Sequence, residues 1–153
     1  LKKALKTVKE LSETEKKGQE VSEALVVLTA VEKGDLIEET VKELVKNIKD
    51  IAKQVKVKNI VLYPYAHLSN NLADSKTAME ILDGAGKELK KTLNVVRAPF
   101  GYYKEFELKV KGHPLSELSR EIRVEASSKR DQSREIRFGE TKKSYSQYQP
   151  LLI

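Results

Sequence analysis

Ala24-Leu25-Val26-Val27-Leu28-Thr29-Ala30-Val31 is a near-continuous apolar run, rich in β-branched residues and bounded by Glu23 and Glu32. Such a run reads as a buried strand. Downstream, Asp35 with Glu38 three residues on has the form of a capping box and opens a helix. Ile37, Val41, Leu44, Val45, Ile48, Ile51 and Val55 repeat at intervals of three and four and give that helix one apolar stripe. Asn59-Ile60-Val61-Leu62-Tyr63 is a second strand, ended by Pro64. A second helix is expected over about residues 75–92, with Ala78, Leu82, Ala85 and Leu89 inward. Gly84 and Gly86 within it predict a bend or a close approach. Asn94-Val95-Val96-Arg97-Ala98 is a third strand, stopped by Pro99. The order from 24 to 98 is βαβαβ, so the fold class is α/β, with right-handed crossovers and parallel strands.

The flanks are less regular. Residues 1–20 are lysine-rich, with Leu1, Leu5, Val8 and Leu11 at helical spacing, which fits a short amphipathic helix or a surface loop. Lys104 to Lys111 alternates and predicts a fourth strand. Gly112-His113-Pro114 is a turn, and Pro114 suits the first position of a helix carrying Leu115, Leu118 and Ile122. From Glu125 the composition turns polar until Pro150-Leu151-Leu152-Ile153. The expected organisation is one domain over 1–124, then a polar linker or tail over 125–153 with a short strand near 135–138.

Bulk properties bound the chemistry. The chain has 153 residues, 39% hydrophobic and 34% charged, which fits a single domain with a real core. No run approaches the length of a membrane span and no secretion signal opens the chain, so a cytoplasmic home is expected. Cysteine is absent, which removes disulfides, thiol nucleophiles and thiolate zinc sites. With only His67 and His113, a three-histidine metal site is impossible, and neither metal nor cofactor is expected. There is no Gly-x-Ser-x-Gly elbow, no Walker loop and no Gly-x-Gly-x-x-Gly. A net charge of +6 suits a polyanion such as RNA, and equally a charge-rich surface with a lysine excess.

Two short runs carry the chemistry, Tyr63-Pro64-Tyr65-Ala66-His67-Leu68-Ser69 and Ala98-Pro99-Phe100-Gly101-Tyr102-Tyr103-Lys104. Both leave the carboxyl ends of parallel strands, the edge where open α/β sheets place ligands. His67 and Lys104 are therefore expected in one crevice. Lys104 has the parity of Phe106, Leu108 and Val110, which points its ammonium inward, where it must be paired, neutral or in a cleft. The alternative is a turn residue that snorkels to solvent. His67 reads either as an acid–base group or as a turn cap, and His113 as a turn residue. Glu117 lies off the apolar stripe and reads by pattern as surface. Tyr102 and Tyr103 suit stacking on a base or ribose, or ordinary packing. With no thiol, metal or marked nucleophile, the pattern favours water as the attacking group, held with the substrate by backbone amides and carbonyls.

Three motifs together resemble a known family: Val61-Leu-Tyr-Pro-Tyr-Ala-His-Leu-Ser69, Ala98-Pro-Phe-Gly-Tyr-Tyr-Lys104 and Lys111-Gly-His-Pro-Leu-Ser-Glu-Leu-Ser-Arg120. Their order and spacing, from about Ala24 to Val124, are similar to the N-terminal editing domain of archaeal threonyl-tRNA synthetase. That resemblance implies a fold like D-aminoacyl-tRNA deacylase, with a central β-sheet, flanking helices and paired subunits. It implies hydrolysis of L-seryl-tRNA(Thr) within a larger synthetase. Serine and threonine differ by one methyl group, which a pocket discriminates by only about 1–3 kcal/mol, so a second site must remove the error. The implied substrate is the 3′-terminal adenosine carrying serine, with its 2′-hydroxyl helping to place the water. By the same resemblance Lys104 contacts the seryl group, His67 lies near the ribose, Glu117 orients the lysine, and Tyr103 stands beside it. Pro64, Tyr65, Ala66, Phe100 and Tyr102 are the implied substrate-binding positions. The family opens with a strand of the Leu-Leu-Ile-His-Ser-Asp type that this sequence does not contain, so the expected sheet is one strand short. Two other readings stay open: a free-standing deacylase for D-aminoacyl-tRNA, and a non-catalytic RNA-binding or dimerisation module.

Overall fold

A computed structural model describes residues 2–3, 11–124 and 146–151. Its centre is a five-stranded mixed sheet. The strands β2 (Ala24–Thr29), β3 (Asn59–Pro64) and β4 (Asn94–Arg97) run parallel in the order β4-β3-β2. Beyond β2 the sheet continues through β7 (Ser146–Leu151) to β6 (Leu118–Arg120), each antiparallel to its neighbour. A separate ribbon pairs β1 (Lys2–Lys3) with β5 (Tyr102–Tyr103), matching Lys2 to Tyr103 and Lys3 to Tyr102. Two long helices, α2 (Ile37–Val55) and α3 (Ser75–Lys90), connect the parallel strands, and a single turn, α1 (Glu13–Lys16), precedes β2. No helix among the described residues is long and apolar enough to cross a membrane.

The connections step the same way, β2 to β3 to β4, so right-handed crossovers put both helices on one face. They are found there. Leu25, Val27, Ile60 and Leu62 meet Leu44, Ile48 and Ile51 of α2 and Ala78, Ile81, Ala85 and Leu89 of α3 in one buried core. The alternate strand positions, Val26, Leu28, Val61 and Tyr63, face the other side, where no long helix among the described residues covers them.

Both helices are specified locally, though not always as expected. Asp74 caps α3, accepting from the Thr77 backbone N–H at 3.0 Å and from its hydroxyl at 2.6 Å. These bonds hold its carboxyl below the usual carboxylate range. Gly84 and Gly86 mark close approaches: a Cβ at 84 would lie 3.0 Å from a Val41 methyl, and one at 86 would lie 3.1 Å from Arg97 Cδ. Asp35, by contrast, does not cap α2. Leu36 holds the cap position, and the Asp35 carboxylate instead accepts the Glu32 N–H at 2.9 Å. That bond closes the tight turn through Gly34, whose φ of +90° suits glycine. Burial pushes the Asp35 carboxyl up, against the lowering effect of the Glu32 bond.

Two further expectations are corrected. Residues 104–109 join no ladder despite their alternation. Leu108 packs inward against Val26, Leu28 and Tyr63, so the segment crosses the sheet face as an irregular roof. The stretch after Pro114 is a turn followed by β6, not a helix, because Leu118–Arg120 pair with β7. The expected strand at 135–138 lies outside the described residues. The described part of the polar C-terminal stretch, β7, runs inside the sheet beside β2.

Candidate active site

The two proline-broken loops leave β3 and β4 at the same sheet edge, and each is held differently. After Pro64, the Tyr65 N–H donates to Thr29 O at 2.8 Å. The following turn, Ala66–Leu68, is then clasped to the exit of β2. Ala73 N donates to Val31 O at 2.9 Å, Lys33 N to Asn71 O at 3.0 Å, and the buried Ser69 hydroxyl donates to Glu32 Oε1 while accepting from Asn71 N. After β4, Ala98 N still bonds Leu62 O at 2.9 Å, but Pro99 has no N–H to continue the ladder. Gly101, at φ +78°, turns the chain back.

Lys104 then closes its own loop. Its Nζ donates to Pro99 O at 2.7 Å and to Tyr102 O at 3.0 Å, and lies 4.9 Å from the centroid of the Tyr63 ring. No carboxylate pairs with it among the described residues. Burial pushes its amine below the ordinary lysine value. An ammonium has three donors, and two are taken by carbonyls, which leaves one for an acceptor placed beside it.

That space exists. Lys104 lines a hollow of about 860 Å³ on the sheet face turned away from α2 and α3. Its floor is Val26, Leu28, Val61, Tyr63, Val96 and Ala98, its roof is Glu105 to Lys109, and its far rim is Lys16 to Val21. A hollow of this size takes a ligand as large as an acylated nucleoside.

The other expected residues are placed as follows. His67 is exposed on the Ala66–Leu68 turn and does not line the hollow. It is joined to it through rings: His67 meets Tyr65 edge-on at 5.4 Å, and Tyr65 meets Tyr63 edge-on at 6.1 Å. Pro64 ends β3, and Tyr65 and Ala66 lead from it into the turn that carries His67. Phe100 packs toward the helix-side core. Tyr102 is half-buried and supplies a carbonyl to Lys104, whereas the Tyr103 side chain is 62% exposed. Glu117 is exposed in the turn before β6 and makes no bond to Lys104. His113 is a turn residue, as its setting predicts: its Nδ1 accepts the Leu115 N–H at 3.0 Å. Among the described residues no three His, Asp or Glu side chains come together as metal ligands.

Sequence reasoning passed over Tyr63, which it reads only as the last residue of a strand. The signal was the spacing Tyr63-x-Tyr65-x-His67 at a strand exit, which sets three rings in one row. It also missed the Glu32–Ser69 clasp, whose partners are distant in sequence and leave no local signature.

Fold and site together define a small α/β domain with one face sealed by helices and a lysine-bearing hollow on the other. The family described as the archaea-specific editing domain of threonyl-tRNA synthetase matches residues 1–122, and the chain belongs to it. Over 123 residues it is 53% identical to a threonine–tRNA ligase of Thermococcus sibiricus, covering 78% of this chain and 20% of that protein. It is 44% identical over 135 residues to a threonine–tRNA ligase editing subunit of Saccharolobus solfataricus, covering 88% of this chain and 34% of that one. A threonine–tRNA ligase of Pyrococcus horikoshii is 45% identical over 142 residues, 91% of this chain and 23% of that protein. The chain thus spans between a fifth and a third of the length of these relatives.

Proposed function

We propose that this domain hydrolyses the ester of L-seryl-tRNA(Thr), proofreading a threonyl-tRNA synthetase to which it belongs or with which it works. The observation that carries the reading is Lys104, an ammonium with one spare donor beside a hollow of the right size, in a chain of an editing family. In the reaction, water oxygen bonds to the seryl carbonyl carbon, the bond to the adenosine 3′-oxygen breaks, and that oxygen leaves with a proton. The products are serine and tRNA with a free 3′-hydroxyl. Lys104 binds the seryl group through its remaining N–H, and the adenosine 2′-hydroxyl helps hold the water. His67, linked to the hollow through Tyr65 and Tyr63, is assigned to the ribose side. The carbonyls of Pro99 and Tyr102 orient the lysine; among the described residues Glu117 makes no bond to it. We further assign the domain a deacylase-like fold that works as a pair of subunits in the cytoplasm.

The test is deacylation of Ser-tRNA(Thr) by Lys104→Ala. Loss of one well-placed donor should lower kcat by about 10²–10³-fold, with the circular dichroism spectrum unchanged. An unchanged rate would reject the assignment. A tRNA ending in 2′-deoxyadenosine should be cut slowly by the wild-type domain as well. D-Tyr-tRNA, offered in competition, should be left intact; its preferential hydrolysis would favour the D-aminoacyl reading instead.

A further inference from the structure

We propose that Tyr63 is a positioning residue for this reaction: the face of its buried ring holds the Lys104 ammonium beside the hollow and keeps it cationic. The proposal rests on the reading of the hollow as the hydrolytic site, and deepens it. Lys104 is half-buried and has no carboxylate partner among the described residues, so desolvation works against its charge. Two carbonyl acceptors offset part of that cost. The ring offsets a further part, since an ammonium within about 6 Å of an aromatic centroid is drawn to the negative face of the π-system. At 4.9 Å the geometry is met.

Tyr63 is itself held by its strand and by two neighbouring rings. It sits near the end of β3 in register with Leu28 of β2, and is only 9% exposed. Phe106, from the roof, packs edge-on against it at 5.1 Å, and Tyr65 does so from below at 6.1 Å. The phenol is kept neutral, because burial first and then Tyr65 push its titration upward. The ring therefore acts through its quadrupole and not as a phenolate. The other charged groups lining the hollow are Lys16, Lys17 and Glu20 at the rim, Arg97 on β4, and Glu105, Glu107 and Lys109 in the roof. None of them pairs with Lys104; Arg97 is bound to Asp83 and Lys16 to Glu13.

The test replaces Tyr63 by Phe, by a series of increasingly fluorinated phenylalanines, and by Leu. Fluorine drains the ring face at nearly constant volume, so folding is preserved where Leu could disturb it. Two quantities are read: the Lys104 titration by NMR of its side chain in the free domain, and kcat and KM for Ser-tRNA(Thr) across pH. Tyr63→Phe should keep both within about twofold of wild type. With each added fluorine the Lys104 midpoint should fall, and kcat near neutral pH should drop, reaching about five- to tenfold for the most fluorinated ring and for Leu, while KM holds. A Lys104 titration indifferent to fluorination would overturn the proposal. The NMR arm does not depend on turnover. Should Lys104→Ala leave hydrolysis intact, the functional reading falls, while the titration series still decides whether the ring holds the ammonium.

Discussion

The two faces of the sheet are made from the same three parallel strands, read at alternate positions, and they have opposite fates. Leu25, Val27, Ile60 and Leu62 are sealed beneath two helices. Their neighbours Val26, Leu28, Val61 and Tyr63 lie under an irregular roof that leaves a hollow. The difference follows from connectivity. Because successive strands step in one direction, right-handed crossovers spend both helices on one side. The face turned away from α2 and α3 is where the hollow lies, and there the chain places its half-buried lysine.

The contrast is broken or sharpened most strongly at adjacent residues of β3. Ile60 is fully buried on the helix side, and Ile60→Ala should cost about 3–4 kcal/mol, counting lost transfer and the cavity left behind. Val61 lines the hollow and is partly exposed, so Val61→Ala should cost about 1 kcal/mol or less. Urea midpoints at constant m-value measure both. Equal losses would mean that the roofed face is packed as tightly as the other, and that the hollow closes in solution.

A second pair tests how tightly the sealed face is closed. Gly84→Ala puts a methyl group 3.0 Å from a branched Val41 carbon in the facing helix, a contact neither side relieves cheaply. The gain in helix propensity is outweighed, for a net loss of about 1 kcal/mol. At Gly86 the nearest atom is Cδ of a long Arg97 side chain, which can give way. Gly86→Ala should therefore be neutral, or stabilising by up to about 1 kcal/mol, in the same denaturant titration. Identical losses at both sites would show that Arg97, held by Asp83, is as rigid as the helix wall.

The sealed face is also the one the sequence makes plain. The apolar run at 24–31 and the three-and-four stripe of α2 state burial on one side, and the parallel βαβαβ order follows from them. Asp35 misled because an acidic residue before a helix has two nearby donors to choose from, and here the turn through Gly34 offered Glu32 N–H first. The open face is harder to read. Residues 104–111 alternate like a strand, but alternation records which side a residue faces, not whether a ladder partner exists. Leu108 does face inward, as its parity predicts, without any strand being formed. The residues after Pro114 show the converse: a short apolar stripe fits a helix as well as a three-residue strand, and pairing with the distant β7 decides it. The burial of Lys104 was visible in its parity. Its partners were not, since two are backbone carbonyls and the third is a ring on another strand.

The smallest effect expected separates the faces by pH. Burial depresses the Lys104 amine in the folded domain from its unfolded value of 10.5. Between the two values the unfolded chain binds more protons, so this group makes stability rise with pH. The burden is fully present below the depressed folded value and is gone above about 10.5. Lys104→Met, close in length and uncharged, removes it. The stability difference between Lys104→Met and wild type should thus be greatest near neutral pH and shrink as pH climbs toward 10. Tyr63 contributes with the opposite sign at still higher pH, because burial raises its phenol, but it is common to both proteins and cancels in the difference. Between pH 7 and 10 no comparable slope is expected from the described core of the sealed face, whose residues are apolar; the raised Asp35 carboxyl beside it acts in acid. A difference that stays flat from pH 7 to 10 would mean that solvent reaches the ammonium freely, and that the roof stands open over the hollow.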